Sequence, residues 1–349
     1  MPTIFDMVNA KAIAAYVTNN PSNKITYLGA TLFPRRKKLG LDLSWIKGSR
    51  GLPVSLQPSA FDAKATLRDR IGLSKIETEM PFFRESMRIG EKDRQELLKL
   101  QESADQYVMP LINQIFDDVA SLVSGAEVVP ERMIMQLLSS GRIRITSAET
   151  RQNYDYDYKM DPSHMETLTG TAVWRDPDST PIQDIQRWQK QVEADTGTKP
   201  TRAICAQDVW DALLVHPSIR LDMNPLGGQN VIMTDEMLRQ YLRTKLGISV
   251  APYTKQYALQ DGSSHLFYPA GYFTLIPEGN LGSTWFGTTP EEADLMAGAT
   301  AAEVSIVNTG VAITSIKEPH PVNVETLVSE IVLPSFETID TIFIAKVLD

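Results

Sequence analysis

The chain has 349 residues, a length typical of two or three domains or of one extended subunit with several lobes. A hydrophobic fraction of 42% and a mean hydropathy of −0.18 predict a soluble protein with a packed core, and no apolar run is long enough to span a bilayer. Cys205 is the only cysteine, which excludes an intrachain disulfide and a cysteine-based metal cluster. The N-terminus lacks a signal-peptide pattern, so we expect a cytosolic product.

The net charge of −9 is unevenly distributed along the chain. Residues 1–90 hold 14 Lys and Arg against 7 Asp and Glu, a net charge of +7, which leaves the remainder at −16. Opposite charges on the two parts of the chain can attract one copy to another. The alternative, that both parts are ordinary solvated surfaces, stays open at this point.

The first ninety residues contain a helical stretch and then a long extended one. Residues 1–20 place apolar side chains at a loose helical spacing and are closed by Pro21, which predicts a helix. Leu39–Trp45 and Leu52–Leu56 alternate apolar and polar residues around a Gly-rich turn, which predicts a β-hairpin. A less regular leg follows through Met80. Roughly sixty residues of extended chain cannot build their own core, so we expect an arm that packs on something else.

The stretch Gly90–Gly125 predicts one long helix. Apolar residues recur every three or four positions from Leu97 to Leu122, and about 35 residues would extend about 50 Å. Gly125 is expected to end the helix, and Pro110 to bend or divide it. A second, short helix is expected from Pro130 to Leu138.

The rest of the chain alternates short strands with helices, which predicts an α/β lobe over residues 180–280 and strands on both sides of it. The apolar ending Thr338–Val347 predicts a docked terminal strand. The expected strands are Arg142–Ala148, Tyr154–Tyr158, Thr201–Ala206, Ile248–Tyr253, Leu266–Tyr268, Gly271–Ile276, Val304–Ile316 and Thr326–Ile331, and the expected helices are Asp184–Thr196, Asp208–Leu214 and Asp235–Leu246.

Motifs for catalysis or cofactor binding are absent from the sequence. It contains no phosphate-binding loop, no dinucleotide fingerprint and no nucleophile elbow. No two histidines lie at metal-ligand spacing on one helix, and His216, before Pro217, is expected to contact a helix end. The pair Glu291-Glu292 is expected to be solvated. We therefore predict no catalytic, cofactor-binding or metal-binding residues.

The basic run Arg35–Lys38 is the densest cluster of positive charge. Nucleic-acid binding is one interpretation, but only Phe33 lies nearby for stacking and the chain as a whole is acidic. We expect instead a segment that faces solvent or another subunit, with Trp45 and Trp285, the latter in a turn, as aromatic contacts. The residues predicted to lie at a subunit interface are Arg35, Arg36, Lys37, Lys38, Trp45, Arg50, Arg68, Arg70 and Arg84.

Several segments, taken in order, resemble the major capsid protein E family of tailed bacteriophages, the lambda-type head proteins. The similarity spans nearly the whole chain and depends on the order of the segments. They are Trp45–Leu56 with Pro81-Phe82-Phe83 and the start of the long helix; Thr171–Trp174, Asp176-Pro177 and Pro181–Ile185; Thr201–Ala206, Val209–Leu214 and His216-Pro217; Phe267–Pro277; and Leu333–Phe336 with Ile344–Val347.

The resemblance implies an α+β, Hong Kong 97-like tailed-phage capsid fold with an N-terminal arm, an extended loop, a spine helix, and peripheral and axial domains. The implied divisions are 1–28 for the N-terminal arm, 29–89 for the extended β-hairpin loop, 90–175 for the peripheral domain with its spine helix, 176–300 for the axial α/β domain, and 301–349 for C-terminal strands that return to the peripheral and axial sheet.

The resemblance also implies partners and a location. Copies would form hexamers and pentamers of an icosahedral virion shell around double-stranded DNA, without sequence specificity and without a membrane. Assembly would take place in the host cytoplasm with a scaffolding protein and a portal protein, and some members add a decoration protein. The chain starts almost directly in its arm, so we expect the scaffold to be a separate protein.

Two other classes of function compete with this interpretation. A tail-tube subunit is another virion assembly protein, but such subunits are usually shorter and mostly β. A hydrolase built on the α/β lobe is the enzymatic alternative, and the missing nucleophile and metal motifs argue against it.

Overall fold

The computed structural model describes residues 9–19, 26–47, 74–89, 95, 108–146, 152–226, 232–298, 302–319 and 322–349. The chain divides into two compact units, each collected from separate stretches. The first contains Met1–Leu43, Glu77–Glu131 and Ser283–Ser335, and the second contains Ser44–Ile76, Arg132–Gly282 and Phe336–Asp349. The predicted strand Leu52–Leu56 lies outside the described residues, as does Gly90–Tyr107 apart from Gln95.

Helices and strands alternate along the described chain. The helices are α1 (Ala10–Asn19), α2 (Leu28–Leu32), α3 (Val108–Ser140), α4 (Pro181–Thr196), α5 (Gln207–Val215), α6 (Pro217–Met223), α7 (Asp235–Leu246) and α8 (Pro290–Ala297). The strands are β1 (Arg35–Lys37), β2 (Asp42–Lys47), β3 (Ser74–Glu79), β4 (Phe82–Ile89), β5 (Arg142–Thr146), β6 (Asn153–Asp157), β7 (Met165–Thr167), β8 (Arg202–Cys205), β9 (Ser249–Pro252), β10 (Gln256–Ala258), β11 (Ser264–Leu266), β12 (Tyr272–Ile276), β13 (Ser283–Phe286), β14 (Glu303–Val307), β15 (Val311–Pro319), β16 (Val322–Ser335) and β17 (Phe343–Lys346). Among the described helices, none has the length and apolar character that a membrane span needs.

The first unit contains a six-stranded sheet built around β16. The order is β1-β13-β16-β15-β14, and β4 also pairs with β16. Both β4 and β15 pair antiparallel with Val324–Ser329, so they lie on opposite edges of β16. The short strand β1 is parallel to β13. Because β16 has neighbours on both edges, it is an interior strand, which agrees with its run of valine, isoleucine and leucine.

One face of this sheet packs on α1 and on α3 in the first unit. Side chains alternate between the two faces of a strand, so Val307, Ile313 and Val328 share the covered face. The predicted N-terminal helix is confirmed over α1, whose buried residues recur at helical spacing. The core cluster consists of Ala10, Ile13, Val17, Val119, Ala120, Val123, Ala126, Val307, Val311, Ile313 and Val328.

Helix α3 continues without interruption through Gly125 and Pro130. The predicted end at Gly125 and the predicted separate helix from Pro130 are therefore wrong. A glycine inside a helix costs about 1 kcal/mol and a proline about 3 kcal/mol. Val123 before these residues and Met133 after them are buried, and each such side chain contributes about 1.5–3 kcal/mol. Packing on both sides thus outweighs the local preference to end, whereas the predicted bend at Pro110 stays a prediction.

The second unit contains a five-stranded sheet, in the order β7-β17-β12-β8-β9. The last strand of the chain, β17, lies between β7 and β12. The predicted docking of the apolar C-terminus is therefore confirmed. The predicted helices at α4, α5 and α7 are also confirmed, and Gly197 and Gly247 end α4 and α7 in the left-handed conformation, at φ 71° and 68°.

Four aromatic rings form the centre of the second unit. Trp188 stacks on Phe343 at 5.2 Å between ring centroids and on Trp174 at 5.7 Å, and Trp174 meets Phe273 edge-on at 5.3 Å. The Trp174 indole donates to Asp184 Oδ2 at 3.1 Å in the first turn of α4. The segment from Trp174 to Ile185, which contributes to the family resemblance, therefore joins α4 to the sheet.

His216 caps the start of α6. Its Nδ1 accepts from the Ser218 backbone N–H at 3.2 Å, so its Nε2 carries the proton and donates toward the Asp176 carbonyl at 3.1 Å and Ser179 Oγ at 2.9 Å. Burial lowers the pKa of His216, against a smaller raising effect of Asp176, which favours this neutral ring. The ring therefore acts as the N-cap of α6. The backbone N–H of His216 donates to the Leu213 carbonyl and so also caps the end of α5.

Other predicted elements need correction. The stretch Val304–Ile316, predicted as one strand, is a hairpin of β14 and β15 whose turn places Asn308 and Thr309 at φ 48° and 78°. Trp285, predicted in a turn, lies in β13. The helices α6 and α8 were not predicted, although each has a proline at its first position, a signal typical of a helix start. Among the described residues, the strand that pairs with β2 is β3.

Two glycine substitutions test this description. Gly125→Ala adds a methyl group in open space inside α3 and should stabilise the protein by about 0.5–1 kcal/mol. Gly310→Ala places a Cβ 2.5 Å from Phe286 Cβ and should destabilise by about 1–3 kcal/mol. Denaturant unfolding of the full chain measures both. A destabilising Gly125→Ala would contradict a continuous helix at that residue.

Candidate assembly surface

The predicted basic run begins in β1, at the edge of the first unit's sheet. Arg35, Arg36 and Lys37 pair with Thr284, Trp285 and Phe286 of β13, and the Lys38 backbone N–H donates to the Phe286 carbonyl at 2.8 Å. Alternation along β1 directs Arg35 and Lys37 to one face and Arg36 to the other. The basic residues are therefore held by a strand pairing inside their own unit.

Arg35 forms a two-point ion pair with Glu127 on α3. One of its bonds, from Nη1 to Oε1, is 2.8 Å long, and Nη1 also donates to the Asn308 carbonyl at 3.2 Å. Burial alone would lower the pKa of Arg35, but the hydrogen bonds and charge of Glu127 outweigh it, and the pKa is raised. Arg35 therefore fastens β1 to α3 as a permanent cation.

Lys37 and Arg84 neutralise the two glutamates at the start of α8. Lys37 Nζ pairs with Glu292, which is buried, and also donates to the Gly287 carbonyl at 2.9 Å. Arg84 pairs with Glu291, which also accepts from Ser329 Oγ at 2.9 Å. Both carboxylates lie in the first turn of α8, where the helix dipole favours negative charge. The prediction that Glu291-Glu292 is a solvated pair is therefore wrong.

The two predicted aromatic contacts have partners within their own units. Trp45 is buried and packs on Tyr158 at 5.2 Å between ring centroids. Trp285 donates from its indole nitrogen to Ser335 Oγ at 3.0 Å, and the exposed Arg36 lies over its ring at 5.7 Å. These contacts account for both tryptophans as packing residues, and their assignment to a subunit interface stays a prediction.

The segment between β1 and β2 exposes apolar side chains. Leu39 is 72% exposed and Leu41 is 41% exposed, whereas Leu43, two residues further on, is buried. Lys38 precedes them and is half-buried. We call this stretch, Lys38–Asp42, the loop base. The predicted site residues Arg50, Arg68 and Arg70 belong beyond it, outside the described residues.

The described residues hold no group of three or more His, Cys, Asp or Glu that could bind a metal ion. Cys205 is buried, and burial raises the pKa of its thiol above the range in which a thiolate forms. The loop base leaves two leucine side chains in contact with water.

Solved structures share this fold over nearly their whole length. A putative capsid protein of a prophage in E. coli CFT073 is 14% identical, with 97% of this chain and 99% of that chain covered and a TM-score of 0.60. A phage-related protein from Bordetella bronchiseptica RB50 is 12% identical, with 97% of each chain covered and a TM-score of 0.57. A chain of the Cyanophage A-1(L) capsid is 10% identical, with 99% of each chain covered and a TM-score of 0.51. The fold is that of phage capsid proteins, as the resemblance implied.

The family model for phage major capsid protein E matches residues 9–347, so the chain belongs to this family. The predicted resemblance is confirmed. Among proteins with curated descriptions, no match is found. The chain is a structural protein of the virion whose copies form an icosahedral shell, and its family is a family of capsid proteins, not of enzymes.

Loss of one ion pair should be measurable in the stability of the first unit. Lys37→Met keeps the length of the side chain but leaves the Glu292 carboxylate, 7% exposed, without its cation. We expect a loss of about 1–3 kcal/mol in the free energy of unfolding. The control, Arg88→Met, removes a cation that is 59% exposed in its pair with Glu325 and should cost less than about 1 kcal/mol. Equal effects in a denaturant series would contradict the role of Lys37.

Proposed function

We propose that the chain builds hexamers and pentamers of its icosahedral shell, and that the loop base is a contact between neighbouring copies. The unit that contains α1, β16 and their sheet corresponds to the peripheral domain in this proposal. The unit that contains α4, α7 and the five-stranded sheet corresponds to the axial domain. The domain boundaries implied by the family resemblance stay predictions.

The exposed Leu39 and Leu41 carry the proposal. Both leucines leave apolar surface in water. Moving a leucine from full exposure to burial contributes about 1.5–3 kcal/mol, and covering these partly exposed side chains contributes a fraction of that. A closed symmetric array supplies the same covering surface to every copy. Lys37, which precedes the loop base, is already paired with Glu292 of the same unit and therefore adds little net charge beside the leucines.

The two-stranded sheet of β2 and β3 supports the same conclusion. Two strands without further partners are marginally stable in water. Of the described residues, only β3 pairs with β2, and the loop base leads directly into this pair. A neighbouring copy that covers the loop base would also hold the start of this sheet in place.

We propose further that the shell encloses double-stranded DNA without sequence specificity and assembles in the host cytoplasm. The family resemblance supports a scaffolding protein and a portal protein as partners, and a decoration protein in shells that carry one. The acidic balance of the chain, −9 overall, supports a container that repels its DNA cargo instead of binding it tightly.

Substitution of the exposed leucines tests the contact. Leu39→Ser with Leu41→Ser should leave the melting temperature unchanged, because both side chains are exposed, and should reduce the yield of closed shells at least tenfold. The control is Leu259→Ser, which changes a leucine exposed by 40%, close to the 41% of Leu41. Electron microscopy and sedimentation of full-length protein, expressed with its scaffold, measure the yield.

The outcomes separate the hypotheses. Shells from wild type and from the control, with free subunits or capsomers from the double variant, support the loop base as a contact. Normal shells from the double variant would overturn it while leaving the shell function in place. Tubes from wild-type protein would overturn the proposed hexamers and pentamers.

A further inference from the structure

Glu330 is a carboxylic acid buried inside the first unit. It lies in β16 opposite Phe83 of β4 and is 1% exposed. Its side chain shares the covered face of the sheet with Val328, two residues earlier, which belongs to the apolar cluster beneath α1 and α3. Glu330 therefore lies next to apolar side chains of the core beneath α1 and α3.

Neither carboxyl oxygen of Glu330 has a hydrogen-bond partner in the described part of the chain. Two hydroxyls on the same covered face, Ser315 Oγ and Thr326 Oγ1, are also buried and unpartnered there, and these two residues are directly opposite each other in the sheet. A buried carboxylate without partners costs far more than the neutral acid. The surroundings thus favour a protonated Glu330.

The charged groups that face Glu330 come from three elements. Glu127 on α3 opposes its ionisation and Arg35 on β1 favours it, but burial is the largest effect, and the pKa of Glu330 is raised well above its ordinary value. Arg35 is already held at two points by Glu127. On β4 the charged residue of this face is Glu85, which is exposed. Arg35 is therefore the cation that would stabilise an ionised Glu330, and it is already paired with Glu127.

We propose that Glu330 is a proton-dependent lock on the first unit. With its proton in place, the neutral side chain fits the apolar layer between the sheet and α3, and the Arg35–Glu127 pair fastens β1 to α3. When the proton leaves to solvent, a second carboxylate faces Glu127 and competes for Arg35, which loosens β1 and the adjoining turns of α3 from the sheet. The device makes the conformation of the unit sensitive to pH.

The direction of the pH dependence follows from linkage. The folded state holds a proton on Glu330 that the unfolded chain releases above the ordinary value of 4.5. The contribution of Glu330 to the free energy of unfolding is fully present below pH 4.5 and is lost as the pH rises toward the folded-state pKa. Within that window, each pH unit multiplies the unfolding equilibrium constant by up to about ten, one proton being released on unfolding.

The test compares Glu330→Gln with wild-type full-length protein between pH 6 and 9. The amide has nearly the same shape as the protonated acid and cannot ionise. As the pH rises, the unfolding equilibrium constant of the wild type should therefore increase relative to that of Glu330→Gln, by up to about tenfold per pH unit. The control, Glu325→Gln, removes an acid on the opposite face of β16, whose pKa is lowered mainly by Ser86 and also by Arg88. It should keep the wild-type slope. Equal slopes for wild type and Glu330→Gln would overturn the proposal.

A measurement on the wild-type protein keeps the test decisive if Glu330→Gln does not fold. Infrared spectroscopy with isotope-labelled glutamate should detect a protonated carboxyl at pH 7 that disappears as the pH rises. Over the same pH range, amide hydrogen exchange in β1 and in Val119–Glu131, corrected for intrinsic rates, should increase relative to the second unit's sheet. Absence of a protonated glutamate at pH 7, or exchange that rises equally in both units, would overturn the lock.

Discussion

The pairing of β16 on both of its edges is the constraint on which the first unit depends. This strand joins β4 from the early part of the chain to β13 and β15 from the late part. A shift of one residue would turn Val328 away from the apolar cluster and would direct Ser329 into it. The register of β16 therefore determines both the core beneath α3 and the burial of Glu330.

Local signals predicted the elements whose ends are defined by their own residues. Helix α7 begins after Thr234, which accepts from the Met237 backbone N–H, and ends at Gly247, so its bounds could be read from capping residues alone. The length of α3 could not be predicted in this way. Gly125 and Pro130 are signals for a helix end, but the packing of Val123 and Met133 keeps the helix continuous. The hairpin of β14 and β15 was missed since Asn308 and Thr309 adopt left-handed backbone inside an apolar run.

The candidate surface was only partly predictable for a similar reason. The basic residues Arg35, Lys37 and Arg84 stand out in the sequence, but their partners lie on α3 and α8, 92, 255 and 207 residues away. Nothing in the local pattern indicates such pairs, because they depend on the sheet that brings β1, β4 and α8 together. The exposure of Leu39 was equally hidden, since strand alternation predicts Leu39, Leu41 and Leu43 on one face without showing which of them the core covers.

These ion pairs reduce the charge that one copy could offer to another. The basic first quarter and the acidic remainder suggest attraction between copies, yet Arg35, Lys37, Arg84 and Arg88 each meet a glutamate of their own unit. A cation paired within one unit offers little net charge to a neighbour, and salt screens what remains beyond about 10 Å. The large side chains that the loop base exposes are the leucines Leu39 and Leu41. Contact at the loop base would be driven by removal of leucine side chains from water, which salt does not screen. The paired charges would act within the unit, where they hold β1 and β4 in place.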